Sequence, residues 1–92
     1  MNILENTLED FSLFNREIYQ MQATFFNNMA ACCKKELNSK MEIEYTSRVL
    51  NLKEYIDDST LVLKAYLRRG LAYEQDEKFL KAKEDVLSAK QI

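Results

Sequence analysis

Lys64-Ala65-Tyr66-Leu67-Arg68-Arg69-Gly70-Leu71-Ala72-Tyr73 is the stretch whose reading decides the fold. Its apolar and small residues recur at helical steps, and Asp58 or Ser59 upstream offers an N-cap, so a helix carrying Leu61, Ala65, Ala72 and Tyr73 is predicted here. Gly70 lies inside that helix, where glycine costs roughly 1 kcal/mol against alanine. A residue kept at that cost implies a second helix approaching closely. The next apolar stripe, Phe79, Ala82, Val86 and Ala89, predicts that neighbour over Phe79 to Lys90.

Moving outward, the same pattern occurs earlier in the chain. Phe25-Phe26-Asn27-Asn28-Met29-Ala30-Ala31-Cys32 aligns with Tyr66 to Tyr73 at an offset of 41 residues (66 − 25), which indicates an internal repeat. Leu4, Leu8, Phe11, Phe14 or Leu13, and Ile18 predict a first helix from Ile3 to Tyr19. A second is predicted from Ala23 to Leu37, ended by Asn38-Ser39-Lys40. Met41, Tyr45, Val49 and Leu52 mark a third, with Ser39 as its expected cap. The expectation is all-α: five helices in short antiparallel hairpins.

Composition agrees. A chain of 92 residues allows one domain, and 47% hydrophobic with 30% charged residues is a globular balance. One glycine and no proline leave little material for the tight turns of an all-β fold. A formal net charge of −2 argues against nucleic acid as a partner. No long uncharged run predicts a membrane span, and the mixed opening Asn2-Ile3-Leu4-Glu5 reads as no secretory leader, so a cytoplasmic location is expected. Cys32 and Cys33 are adjacent, without histidine or a CxxC spacing, and read as buried thiols in a reducing compartment.

The stretch Lys64 to Tyr73, with Phe79, Ala82, Val86 and Ala89, resembles the tetratricopeptide repeat signature over about the last thirty residues. The earlier copy is degenerate, with Met29 at the small position, Cys32 where an aromatic is usual, and Met41 or Glu42 near the alanine of its second helix. The resemblance implies an α-solenoid of about two and a half repeats. Residues 1–20 would be the second helix of a partial repeat, 21–52 a degenerate repeat, 53–63 an insertion and 64–92 a well-matched repeat. The family period is about 34 residues, so an offset of 41 implies about seven extra, placed in the insertion.

Nothing in the chain points to catalysis: there is no histidine, no glycine-rich phosphate loop and no base beside a cysteine, and no cofactor or metal is implied. Carboxylates such as Glu9, Asp10, Asp57, Asp58, Glu84 and Asp85 read as solvated faces and caps. Lys64 and Arg68 stand out, because like charges at i, i+4 disfavour a helix and call for an acid, inside the fold or outside it. In the repeat register Arg68 aligns with Asn27. Asn27, Lys64 and Arg68 resemble the carboxylate clamp of co-chaperone tetratricopeptide domains, which implies capture of the acidic C-terminal EEVD tail of a heat-shock chaperone. Phe26, Ala30, Leu67 and Leu71 would line the groove. Two further clamp residues of that family belong to a helix with no counterpart here. The plain alternative for the cations is a solvated face with local ion pairs. The alternative for the protein is a structural or self-associating scaffold, in which the apolar flank of the first helix (Leu4, Leu8, Phe11) pairs with another copy.

Overall fold

The computed structural model describes residues 3–92, with side chains from Glu9 onward. The side chains of Leu4 and Leu8 therefore lie outside the described residues. Four α-helices follow one another: α1 (Ile3–Lys35), α2 (Ser39–Asn51), α3 (Ser59–Gln75) and α4 (Phe79–Lys90), with a single 3₁₀ turn at Lys53–Tyr55 between α2 and α3. There is no strand among the described residues. Each helix packs on the next, and α1 also touches α3.

The two helices expected before Leu37 are one. Gln20-Met21-Gln22-Ala23 contains only good helix formers, no glycine, no proline and no cap, so nothing stops the helix there. The break in the apolar pattern is a change of face. Tyr19, Ala23, Phe26, Ala30 and Cys33 turn inward, whereas Phe11, Phe14, Met21 and Phe25 stay exposed. At 33 residues, α1 is about 50 Å long, and the 13-residue α2 covers less than half of it. The molecule is accordingly elongated: 56 × 27 × 15 Å, with a radius of gyration of 15.8 Å against roughly 12 Å for a compact chain of this length.

Two hairpins repeat one geometry. Leu37 (φ 59°) ends the first arm of α1–α2 and Glu77 (φ 61°) that of α3–α4. In each the next residue donates its N–H five residues back, Asn38 to Cys33 O and Lys78 to Tyr73 O, both at 2.8 Å. The left-handed residue itself bonds to Lys34 O or Glu74 O, completing a Schellman turn built without glycine. Leu37 and Glu77 are 40 residues apart (77 − 37), so the repeat offset is 40 and not 41. In that register Ala30 matches Gly70, Val49 matches Ala89 and Glu42 matches Ala82, and all six are buried.

Asn38, not Ser39, caps α2, its Oδ1 accepting from Met41 N at 3.1 Å. The Ser39 hydroxyl instead donates to Asp76, joining the two hairpin turns. Asp58 caps α3 through Leu61 N at 3.1 Å. Between them, Lys53 to Asp58 forms a packed connector, with Ile56 buried in the core beside Val49, Leu50, Leu61 and Ala65. The Tyr55 ring lies 5.1 Å from that of Tyr19, and Asp57 pairs with Arg16 at 3.0 Å. Ser59 onward, expected to belong to an insertion, is already the first turn of α3.

Gly70 meets α4 as expected. A Cβ built there would stand 3.4 Å from Ala82 O, Asp85 Cβ and Val86 Cγ2, so the two helices are in van der Waals contact across the missing side chain. Of the two cysteines Cys33 is buried, but Cys32 is exposed, contrary to the reading of both as buried thiols. Burial, with Glu36 adding to it, pushes the Cys33 thiol above its ordinary pKa.

Candidate functional site

The candidate site is the face that α1 and α3 present side by side. In the register set by the two turns, Lys64, Leu67, Arg68 and Leu71 of α3 correspond to Thr24, Asn27, Asn28 and Ala31 of α1. Lys64, Leu67 and Leu71 are exposed and Arg68 is half-buried. Among the described residues neither Lys64 nor Arg68 forms an ion pair; the pairs present are Arg16–Asp57, Arg48–Glu44 and Arg69–Asp85. The acid that acts on Arg68 is Glu42 of α2, itself buried. Burial drives its carboxyl above the ordinary range, and Arg68 and Lys34 only partly oppose that.

Among the described residues, two buried side-chain polar atoms lack a hydrogen-bond partner: Arg68 Nε and Asn27 Oδ1. One is a donor and the other an acceptor, and both belong to residues singled out from the sequence. A buried polar group without a partner costs about 1–3 kcal/mol, and both atoms are shut off from solvent by the surrounding side chains.

The alignment that placed Asn27 opposite Arg68 is corrected by one residue. The matching position is Asn28, which is exposed, while Asn27 sits half-buried opposite Leu67. The signal that finds Asn28 is the pair of small residues, Ala30 and Gly70, which must both lie under a close helix contact. The aromatic residues used for the alignment slide by one without penalty in a degenerate copy. Two expected lining residues also move. Ala30 is fully buried, and Phe26 packs on the core, stacked on Tyr45 at 6.3 Å with Arg48 over its ring at 5.6 Å. Leu67 and Leu71 do face solvent. On α1 a shallow cleft lies beside this face, lined by Gln20, Met21, Thr24, Phe25 and Asn28.

Arg69, next to Arg68, has a different role. Its guanidinium grips Asp85 with two hydrogen bonds, 2.8 Å from Nε and 2.7 Å from Nη2, and donates to Ser47 Oγ at 3.2 Å. It lies over Tyr66 and Tyr73. This cluster ties α2, α3 and α4 together, and it moves Asp85 from the solvated acids, where the sequence pattern put it, to the interior. The Asp85 bond, against burial, holds the Arg69 pKa above its ordinary value.

No helix among the described residues is long and apolar enough to cross a membrane. In comparisons with protein-family models, curated proteins and solved structures, nothing matched this chain.

Proposed function

We propose that this chain is a tetratricopeptide-type protein-binding module whose α1–α3 face takes the acidic C-terminal tail of a protein partner, an EEVD-like tail of a heat-shock chaperone being the form the resemblance implies. Two hairpins with one turn geometry, 40 residues apart, support the repeat reading. Against the family period of about 34, the difference is about six residues, which the connector between α2 and α3 accommodates. The observation that carries the binding reading is the pair of cations Lys64 and Arg68, one turn apart on α3 and without an ion-pair partner among the described residues.

Each residue then has a role. Arg68 and Lys64 donate charge-assisted hydrogen bonds to the terminal and side-chain carboxylates, bonds about twice as strong as neutral ones. Asn28 supplies a neutral donor from α1. Leu67 and Leu71 give the peptide's apolar side chains a surface.

Alanine at Lys64 or Arg68 is expected to weaken an EEVD-ending peptide by about 1.5–3 kcal/mol each, and alanine at Asn28 by about 0.5–1.5 kcal/mol. Folding stability should hardly change at Lys64 and Asn28, which are exposed. Calorimetric affinities equal to wild type in all three variants would reject the site.

A further inference from the structure

α1 and α4 each leave one helix face uncovered by anything among the described residues. On α1 the open face carries Phe11, Phe14, Met21 and Phe25, exposed, with Ile18 half-buried between them. Phe11 is 63% and Met21 71% exposed, which is far from a core environment. The spacing 11, 14, 18, 21, 25 alternates three and four, the seam that selects another helix as its partner. Asp10 and Glu17 border this seam on one side, a helical i, i+7 pair about 10.5 Å apart along the axis.

On α4 the outward face carries Phe79, Val86 and Leu87, all exposed, with Lys83 and Lys90 between and after them. A cleft lined by Glu74, Phe79, Ala82, Lys83, Val86 and Leu87 runs along it. Lys83 and Lys90 are also an i, i+7 pair, with the same spacing of about 10.5 Å. The two open faces thus complement each other in two respects: each carries exposed apolar residues along a single helix, and their charges are opposite in sign and equal in spacing.

We propose that the α4 face of one copy of this chain docks on the α1 face of another, with Lys83 and Lys90 against Asp10 and Glu17 and with Phe79, Val86 and Leu87 on the Phe11 to Phe25 seam. The contact is heterologous, so a docked pair keeps one free α1 face and one free α4 face, and association continues as a head-to-tail series instead of closing as a two-fold dimer. Met21 and Phe25 of the seam share a cleft with Thr24 and Asn28 of the α1–α3 face, so the two surfaces adjoin along α1.

The test uses sedimentation equilibrium on the 92-residue chain and two charge-reversed variants, Asp10→Lys/Glu17→Lys and Lys83→Glu/Lys90→Glu, each checked for helix content. The wild type is expected to gain mass beyond a dimer with concentration. Each variant alone carries like charges on both faces and should associate at least about tenfold more weakly. An equimolar mixture of the two should recover association, since each α1 face again meets an α4 face of opposite sign. A second pair, Met21→Glu and Leu87→Glu, should mix to a one-to-one complex and grow no further. A wild type that stays monomeric to about 1 mM, a Lys83→Glu/Lys90→Glu variant that associates like wild type (the result for α1 pairing with α1), or a mixture that recovers nothing would each overturn the proposal.

Discussion

Replacing Arg69 by alanine should destabilise the protein more than replacing its partner Asp85. The Asp85 side chain is 5% exposed and receives two hydrogen bonds of 2.7 and 2.8 Å from Arg69, whose own side chain is 21% exposed. Without Arg69 the carboxylate stays buried with no counter-charge, a loss of about 3–5 kcal/mol. Without Asp85 the guanidinium keeps its bond to Ser47, two ring faces and a path to water, so the loss is about 1.5–3 kcal/mol. A chain of this length has a total stability on the order of 5–14 kcal/mol, so Arg69→Ala removes a large part of it. The double variant should cost less than the two singles together, by about 1 kcal/mol or more, because it leaves no orphaned charge. Urea unfolding followed by far-UV circular dichroism measures all three. A loss at Arg69→Ala below about 1 kcal/mol, or a larger loss at Asp85→Ala, would refute the assignment of this pair to the interior.

Glu42→Gln should raise stability at neutral pH and flatten its pH dependence. The folded carboxyl titrates above its ordinary value because of burial. As pH rises from the ordinary value to the raised one, the folded state keeps a proton that the unfolded chain gives up, so stability falls across that window and stays lower above it. Unfolding midpoints across the acid range check this, and a wild type whose midpoint rises through that window would contradict it. Glu77→Gly should stabilise by about 0.5–1 kcal/mol, the strain of a left-handed residue with a side chain less the greater freedom of unfolded glycine. A thermal midpoint raised by a few degrees is the expected reading, and an unchanged or lower midpoint would mean that Glu77 is not strained.

The second hairpin was legible because its small residues have one explanation. Gly70, Ala82 and Ala89 sit where two helices nearly touch, and a glycine inside a helix has no cheaper reason to be there. The boundary near Asp58 was readable for a similar reason, since an acid before an apolar helix has a backbone N–H to bond. The first hairpin was less legible. In α1 the apolar stripe shifts from one face to another near Tyr19 to Ala23, and a change of face looks like an interruption unless the covering element is known. Here the covering elements are two: α2 for the C-terminal half, and the Lys53 to Asp58 connector for the stretch near Arg16 and Tyr19.

The groove was half legible. The unusual spacing of Lys64 and Arg68 is visible because like charges one turn apart oppose the helix. Asn28, which the proposal puts in the place of Asn27, was not singled out because side chains alone do not fix the register of the two hairpins, whereas the backbone of the turn does. Asp85 was misplaced because an acid on a helix reads as solvated until the cation above it, Arg69, sixteen residues away in sequence, is placed by the hairpin.

The groove account meets its most direct test in a calorimetric comparison of two short peptides ending in Glu-Glu-Val-Asp, one with a free C-terminal carboxylate and one amidated there. If Lys64 and Arg68 grip the terminal carboxylate, the free acid should bind, the amide should bind at least about tenfold more weakly, and the difference should shrink with added salt. Equal binding of the two peptides, or binding of neither, would contradict the account.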